Sequence, residues 1–270
     1  MKSFGAFGMG EDAMYKMPEI EFTAKFLLKL AQLGFFFTFV YWTVGGGTGA
    51  DTTDFVMGAL LAAGALSLFL SVPNARMAVT FALPVIVGVT MIATGQTEDA
   101  VWALFMVPMF GIPAYLPDMA LGEPSLGLDD ETMTKRLGIF YIFFAIFFIF
   151  MMMGITDLAL DGEFTEDDGE DQVMYVVEST EQTLSQVALA MAVIGILGFA
   201  MTAMMGMEIG PARPWHFGAL LAGCMVIGSY VFEVTMTGGI TENPVEMLWA
   251  LSIGGIFTLV PCIAYEGADS

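Results

Sequence analysis

Basic residues, histidine and cysteine are scarce in this chain. Its 270 residues include 8 Lys and Arg, 1 His and 2 Cys, against 29 Asp and Glu. One His cannot supply both axial ligands of a bis-His haem. Both cysteines, Cys224 and Cys262, fall in apolar segments, which indicates packing and not a disulfide framework. The net charge of −21 argues against nucleic-acid binding, which needs a basic surface.

Motifs of the common enzyme classes are missing as well. The chain has no GxGxxG after a strand and no P-loop, HExxH, CxxC or GxSxG sequence. The single His216 lies away from most acidic residues, so a Ser–His–Asp arrangement is not visible. We therefore expect no enzymatic activity, no metal site and no cofactor.

Long apolar runs dominate what is present. The chain is 57% hydrophobic and 14% charged, and residues 137–156 carry no charge. A helix of about 20 residues is about 30 Å long, which is the thickness of a bilayer core. We predict an all-α integral membrane protein with eight transmembrane helices, at residues 26–44, 55–72, 77–94, 101–116, 137–156, 184–205, 215–236 and 247–264. The fourth is short and contains two prolines, so a broken or re-entrant helix is the alternative to a full span.

The basic residues sort to one side of this eight-span arrangement. They lie before or just inside span 1 and in the turns between spans 2 and 3, 4 and 5, and 6 and 7, whereas the opposite loops contain no Lys or Arg. The positive-inside rule then places both termini in the cytoplasm. We expect an integral multi-pass protein of the cell membrane, with the lipid bilayer as the main partner.

Two similar phrases indicate an internal repeat. TGQTEDAVWAL begins at residue 94 and TGGITENPVEMLWAL begins at residue 237. Each crosses a loop on the non-cytoplasmic side into a span. Matching positions elsewhere follow the same order, so spans 1–4 align with spans 5–8, and an even number of spans makes the repeat parallel. The predicted organisation is a cytoplasmic segment 1–25, repeat one at 26–121, a cytoplasmic linker 122–136 and repeat two at 137–265.

The shared phrase has a structural and a functional interpretation. Its Gly, Thr and Glu residues suit a tight turn followed by a helix cap. Trp102 and Trp249 would then lie just below the membrane interface, where indoles are half hydrated. The functional alternative is that both Trp residues line a common entrance on the pseudo-axis.

Prolines inside the spans predict helix breaks. Pro84, Pro108, Pro113 and Pro261 each remove a backbone N–H and free a carbonyl that lipid cannot satisfy. Such carbonyls should face protein or water. Broken helices occur in transporters and also in ordinary bundles.

Glu233 is the main ionisable residue predicted inside a span. It lies about 6 Å inside the outer end of its helix, with Tyr230 three residues earlier on the same face. One interpretation is a carboxylate that reaches the interface, and the other is a proton-binding or cation-binding site. Lys29, near the inner interface, is expected to snorkel.

Two functions remain open on the sequence alone. The first is a small transporter or channel-like protein for a proton, a cation or a weakly polar solute. The alternative is a non-catalytic structural or accessory subunit of a larger membrane complex, with membrane-protein partners or a homo-oligomer. The acidic outer loop 157–183 contains no Lys or Arg. It could be a solvated surface, a vestibule that attracts cations or a docking surface for a basic partner.

Overall fold

The fold consists almost entirely of helices, with one small hairpin. The computed structural model describes residues 22–45, 52–93, 95, 99–152, 154–167, 172–237 and 244–268. Helices α1 (Ala24–Gly45), α2 (Thr52–Phe69), α3 (Ala75–Ala93) and α4 (Trp102–Ala120) form the first half. The second half contains α5 (Asp130–Ile146, continued by the π-helical segment Phe147–Met152), the short α6 (Ile155–Leu160), α7 (Ser179–Met204), α8 (Pro214–Thr237) and α9 (Pro244–Glu266).

Seven of the described helices are long and apolar enough to cross a membrane: α1, α3, α4, α5, α7, α8 and α9. The apolar part of α2, Asp54–Phe69, is shorter. Large apolar side chains on the outside of the bundle are exposed, including Val85 on α3 and Leu197 on α7. A multi-pass membrane protein is the class that explains such a surface, because lipid covers it.

Neighbouring helices run in opposite directions. In α1 and α9, Trp42 contacts Trp249 near one end, and Ala31 lies beside Gly255 further along. The same reversal relates α7 to α8 and α8 to α9. The start of α1 therefore lies beside the end of α9. We call this end of the bundle the basic end, because it carries all of the described Lys and Arg residues: Lys25, Lys29, Arg76, Lys135, Arg136 and Arg213. The opposite end is called the acidic end.

Glycine sets the close approach of several helices in the second half. A Cβ atom at Gly218 of α8 would overlap the backbone oxygen of Phe257 in α9, and one at Gly198 of α7 would overlap the ring of Phe217 in α8. Small residues at such crossings let backbones come close and gain dispersion contacts, which drive helix association in lipid.

The acidic loop contains a structure that the sequence analysis did not predict. Strands β1 (Glu163–Asp167) and β2 (Gln172–Val176) pair antiparallel, with Glu163 opposite Val176. The short α6 precedes them, and its buried Leu158 packs with Val177 and Val231. The hairpin is therefore attached to the acidic end of α8.

The predicted helix breaks are corrected by the structure, because no helix ends at any of the four prolines. Pro108 and Pro113 are interior to α4, and Pro261 is interior to α9. Pro84 follows the π-helical segment Ala78–Ala82 within α3. A wider π turn gives the proline ring room within the helix. The expected alternative of a re-entrant fourth segment is wrong for the same reason, since α4 is continuous.

Two side chains satisfy carbonyls that prolines release. Pro117 has no N–H, so the Pro113 carbonyl one turn earlier lacks its helical donor. The Gln32 amide of α1 donates to that oxygen at 2.9 Å. Pro261 likewise releases the Phe257 carbonyl, which accepts a 2.6 Å hydrogen bond from the Tyr141 hydroxyl of α5. This is how prolines are tolerated where water is absent.

Candidate functional site

Two acidic residues, one on α8 and one on α9, lie near the acidic end of the bundle. Glu233 of α8 is buried, with 2% of its surface exposed. Glu246 lies in the first turn of α9 and is half-buried. An ionised carboxylate is costly in a medium of low dielectric, and binding a proton or a cation lowers that cost.

The other sequence-predicted partners of this site are placed differently. Tyr230 is 39% exposed, so it lies on the outer surface of α8 while Glu233 points into the bundle. The neighbouring helix α9 carries the second acidic residue near this end, Glu246 in its first turn.

Trp249 is buried in the bundle, whereas the sequence analysis expected a half-hydrated indole. It is 5% exposed, and its ring contacts Trp42 of α1 and Phe148 of α5 at centroid distances of 6.0 and 6.1 Å. Its indole N–H has no hydrogen-bond partner among the described residues. The side chain of Trp102 lies outside the described residues, as do residues 96–98 and 238–243 of the repeated phrase. An entrance shared by the two Trp residues therefore stays a prediction.

Aromatic side chains fill the centre of the bundle between the two halves. Phe35 of α1 contacts Phe148 of α5 at 5.4 Å, and Phe36 contacts Phe110 of α4 at 5.7 Å. All four are at most 1% exposed. Rings at these separations are in edge or tilted contact, so no hydrated ion fits between them. We call these four residues the aromatic plug.

A buried ion cluster lies at the basic end, on the other side of the plug. The Lys29 ammonium of α1 contacts the Asp118 carboxylate of α4 at 2.5 Å, and the Arg76 guanidinium of α3 pairs with the other oxygen of Asp118. The side chains of Lys29 and Asp118 are 8% and 7% exposed. Lys29 therefore does not snorkel to the interface, because a counter-charge lies within the bundle. Gln32 accepts a further bond from Lys29 at 3.4 Å.

Asp118 is the residue of this site that sequence analysis missed. It lies just beyond the predicted fourth span, in the phrase YLPDMAL, and therefore read as interfacial. The available signal was Lys29, because a cation within an apolar run requires a partner. Nothing local identified which of the acidic residues that partner would be.

A polar cavity opens beside the ion cluster. It has a volume of about 510 Å³ and is lined by Arg76, Tyr115, Asp118, Glu123 and Ser125, together with the turn that joins α2 to α3. Arg76 donates to the Ser125 hydroxyl at 2.8 Å and lies 5.8 Å from the centre of the Tyr115 ring, within cation–π range. The cavity offers hydrogen-bond donors and acceptors to a polar group at the end of the bundle.

A helix cap supports the same end of the molecule. Asp129 precedes α5 and accepts hydrogen bonds from the Thr132 backbone N–H at 2.9 Å and from its hydroxyl at 2.8 Å. These bonds, the backbone one first, hold the pKa of Asp129 below its usual value of 3.8. The cap fixes where the chain between α4 and α5 enters the second half.

Within the residues that the structure describes, no three His, Cys, Asp or Glu side chains form a metal-binding group. His216 caps the local chain, since its Nδ1 accepts from the Arg213 N–H at 2.9 Å while its ring stacks on Trp215. Comparison with known proteins finds no matching family model, no similar curated protein and no similar solved structure.

Proposed function

We propose that the chain crosses the cell membrane eight times, with α2 as the additional span and the basic end in the cytoplasm. Helix α2 packs antiparallel to α1: Gly58 lies beside Val44, and Lys29 reaches the Leu68 carbonyl at the other end. Its 18 residues are about 27 Å long, close to the thickness of a bilayer core. The one-sided distribution of Lys and Arg supports the orientation.

The parallel repeat of four plus four helices belongs to this proposal. Two contacts between the halves support it: α1 packs against α9, and α5 packs against α4. A twofold axis that exchanges the halves turns the first of these contacts into the second. The two proline-carbonyl bonds follow the same relation, because Gln32 links α1 to α4 and Tyr141 links α5 to α9. Each first helix thus supports the last helix of its own half.

The proposed function is that of a small transporter or channel-like protein for a proton or a small cation. The observation that carries it is Glu233, a carboxylate inside the bundle with 2% of its surface exposed. An intramembrane carboxylate is costly unless it binds a proton, a cation or a partner. The aromatic plug lies between Glu233 and the ion cluster, so the arrangement corresponds to a closed conduction path. The proposal includes no catalytic step.

Flux through liposomes tests this function. The purified chain is reconstituted, and uptake of H⁺, Na⁺ and K⁺ is followed after an imposed gradient. We expect flux of one of these ions, and we expect Glu233→Gln to abolish it. Glu178→Gln is the matched control, because Glu178 is an exposed carboxylate just before α7. Equal flux through both variants would reject Glu233 as the transport site.

The second candidate is a non-catalytic subunit of a membrane complex. The aromatic plug favours it, because tight ring contacts across the centre suit a rigid scaffold. In this case wild-type liposomes show no flux for any of the three ions. The same purified chain then migrates with a stoichiometric membrane-protein partner, or as a homo-oligomer, when it is extracted from its native membrane in a mild detergent.

A further inference from the structure

An apolar groove adjoins the polar cavity at the basic end. It has a volume of about 520 Å³ and lies between α3, α4 and α5. Its walls are nearly all carbon, with Phe81, Val107, Ile112 and Phe143 among them, and Arg136 is the charged residue in its lining. Tyr115 and Leu126 line both the groove and the polar cavity, so the two spaces are neighbours that share a wall.

The length of the groove matches one leaflet of a membrane. Along α4 it extends from Met119 to Val107, which is about 18 Å at 1.5 Å per residue. Half of a hydrocarbon core is about 15 Å. The groove therefore begins at the basic end, where Arg136 lies, and ends near the middle of the bilayer. An acyl chain of one leaflet has this length and this chemistry.

One arginine lines each of the two neighbouring spaces. Arg76 lines the polar cavity and Arg136 lines the groove, one on each side of the shared wall. Among the described residues Arg136 has no ion-pair partner, whereas the neighbouring Lys135 pairs with Glu131 at 2.6 Å. Guanidinium groups bind phosphate oxygens through paired, charge-assisted hydrogen bonds. An arginine left without a counter-charge beside an apolar groove fits a phosphate that is joined to an acyl chain.

We propose that this composite space binds a phospholipid from the leaflet at the basic end. The phosphate pairs with Arg136 at the mouth of the groove, the headgroup lies towards the polar cavity, and one acyl chain lies in the groove over α4. The site is separate from Glu233 and Glu246, so it does not depend on the proposed function. A phospholipid held there would bridge α3 and α5 and thereby connect the two halves.

Native mass spectrometry of the detergent-purified chain tests the proposal with three probes: phosphatidylglycerol, diacylglycerol with the same acyl chains, and inorganic phosphate. We expect retention of one phosphatidylglycerol per chain and at least about tenfold weaker binding of the other two, which is the scale of one charge-assisted contact. Equal binding of diacylglycerol would show that the arginines do not recognise phosphate. Equal binding of inorganic phosphate would show a plain anion site without a lipid chain.

Paired variants locate the site. Val107→Trp fills the groove, and its control Val85→Trp places the same ring on the exposed outer surface of α3. Arg136→Gln removes the cation of the groove, and its control Lys135→Gln removes the adjacent cation outside it. We expect each groove variant to weaken phosphatidylglycerol binding about tenfold and each control to retain it. The proposal is wrong if the groove variants and their controls bind phosphatidylglycerol equally.

Discussion

The buried carboxylate Asp118 offers the sharpest test of the packing in the first half. It accepts from both Lys29 and Arg76, so it joins α1, α3 and α4 at the basic end. Asp118→Asn keeps the shape of the side chain and removes its charge. Lys29 and Arg76, whose charges Asp118 partly balances in the wild type, then lie together inside the bundle without a counter-ion.

The expected decrease in the free energy of unfolding is large, because the ion cluster is shielded from water. Breaking a buried pair by removing one partner costs about 3–5 kcal/mol. At about 1.4 kcal/mol per tenfold change, this shifts the unfolding equilibrium a hundredfold or more. Lys29→Met should lower the free energy of unfolding by less than Asp118→Asn, since Asp118 keeps Arg76 as its partner. The double variant should cost less than the sum of the two single variants, because removing both groups leaves one cation in place of two.

Reversible unfolding in detergent micelles, followed by the fluorescence of the four Trp residues, measures these differences. The matched control is Glu131→Gln, which breaks the exposed pair with Lys135, whose side chains are 71% and 79% exposed. Such a pair contributes about 0.5 kcal/mol or less. If Asp118→Asn costs no more than this control, then α1, α3 and α4 do not meet around a buried carboxylate and the helix arrangement is wrong.

Three further predictions concern the helix contacts and the cap. Tyr141→Phe should lower the free energy of unfolding by about 1–3 kcal/mol, because a proline-released carbonyl loses its donor, whereas Tyr41→Phe on the exposed surface should be neutral in the same assay. Gly218→Ala should destabilise the packing of α8 on α9 by about 1–3 kcal/mol, because the added methyl overlaps backbone, whereas Gly223→Ala meets only a flexible Met side-chain end and should cost less. The pKa of the Asp129 cap is lowered, so the stabilisation by the cap is complete above about pH 4 and is lost as the pH falls through the folded-state pKa. Acid unfolding of the wild type and of Asp129→Asn measures this effect. The difference between their free energies of unfolding should shrink at low pH.

Apolar runs predicted the helices well because the bilayer imposes a simple rule. A segment such as residues 137–156 can satisfy its backbone only as a helix, whatever surrounds it. The structure has α5 over residues 137–152 of that segment, and the separate helix α6 begins at Ile155 after Gly154, which has φ of 57°. Prolines were harder to interpret, because whether Pro113 or Pro261 ends a helix depends on its neighbours. Pro261 is accommodated since Tyr141, 120 positions earlier, supplies a donor to the carbonyl that it releases.

The candidate sites likewise contain features that the sequence identifies and features that only the structure reveals. Glu233 was identifiable as an acidic residue within an apolar run, because such a residue is expensive in lipid wherever the helix packs. The orientation of its neighbour Tyr230 was not identifiable, since it depends on how α8 is rotated in the bundle. That rotation exposes Tyr230 and buries Glu233.

By itself, the sequence determined the solvent in which this protein lives, the helical class and the sorting of its charges, because each follows from the cost of placing backbone and charged groups in hydrocarbon. The tertiary structure alone decided that Lys29 meets Asp118 and that the rings of Phe35 and Phe148 pack together in the centre. These are contacts between helices far apart in the chain, and they depend on helix rotation and crossing, which apolar composition leaves free because lipid and a neighbouring helix are equally apolar.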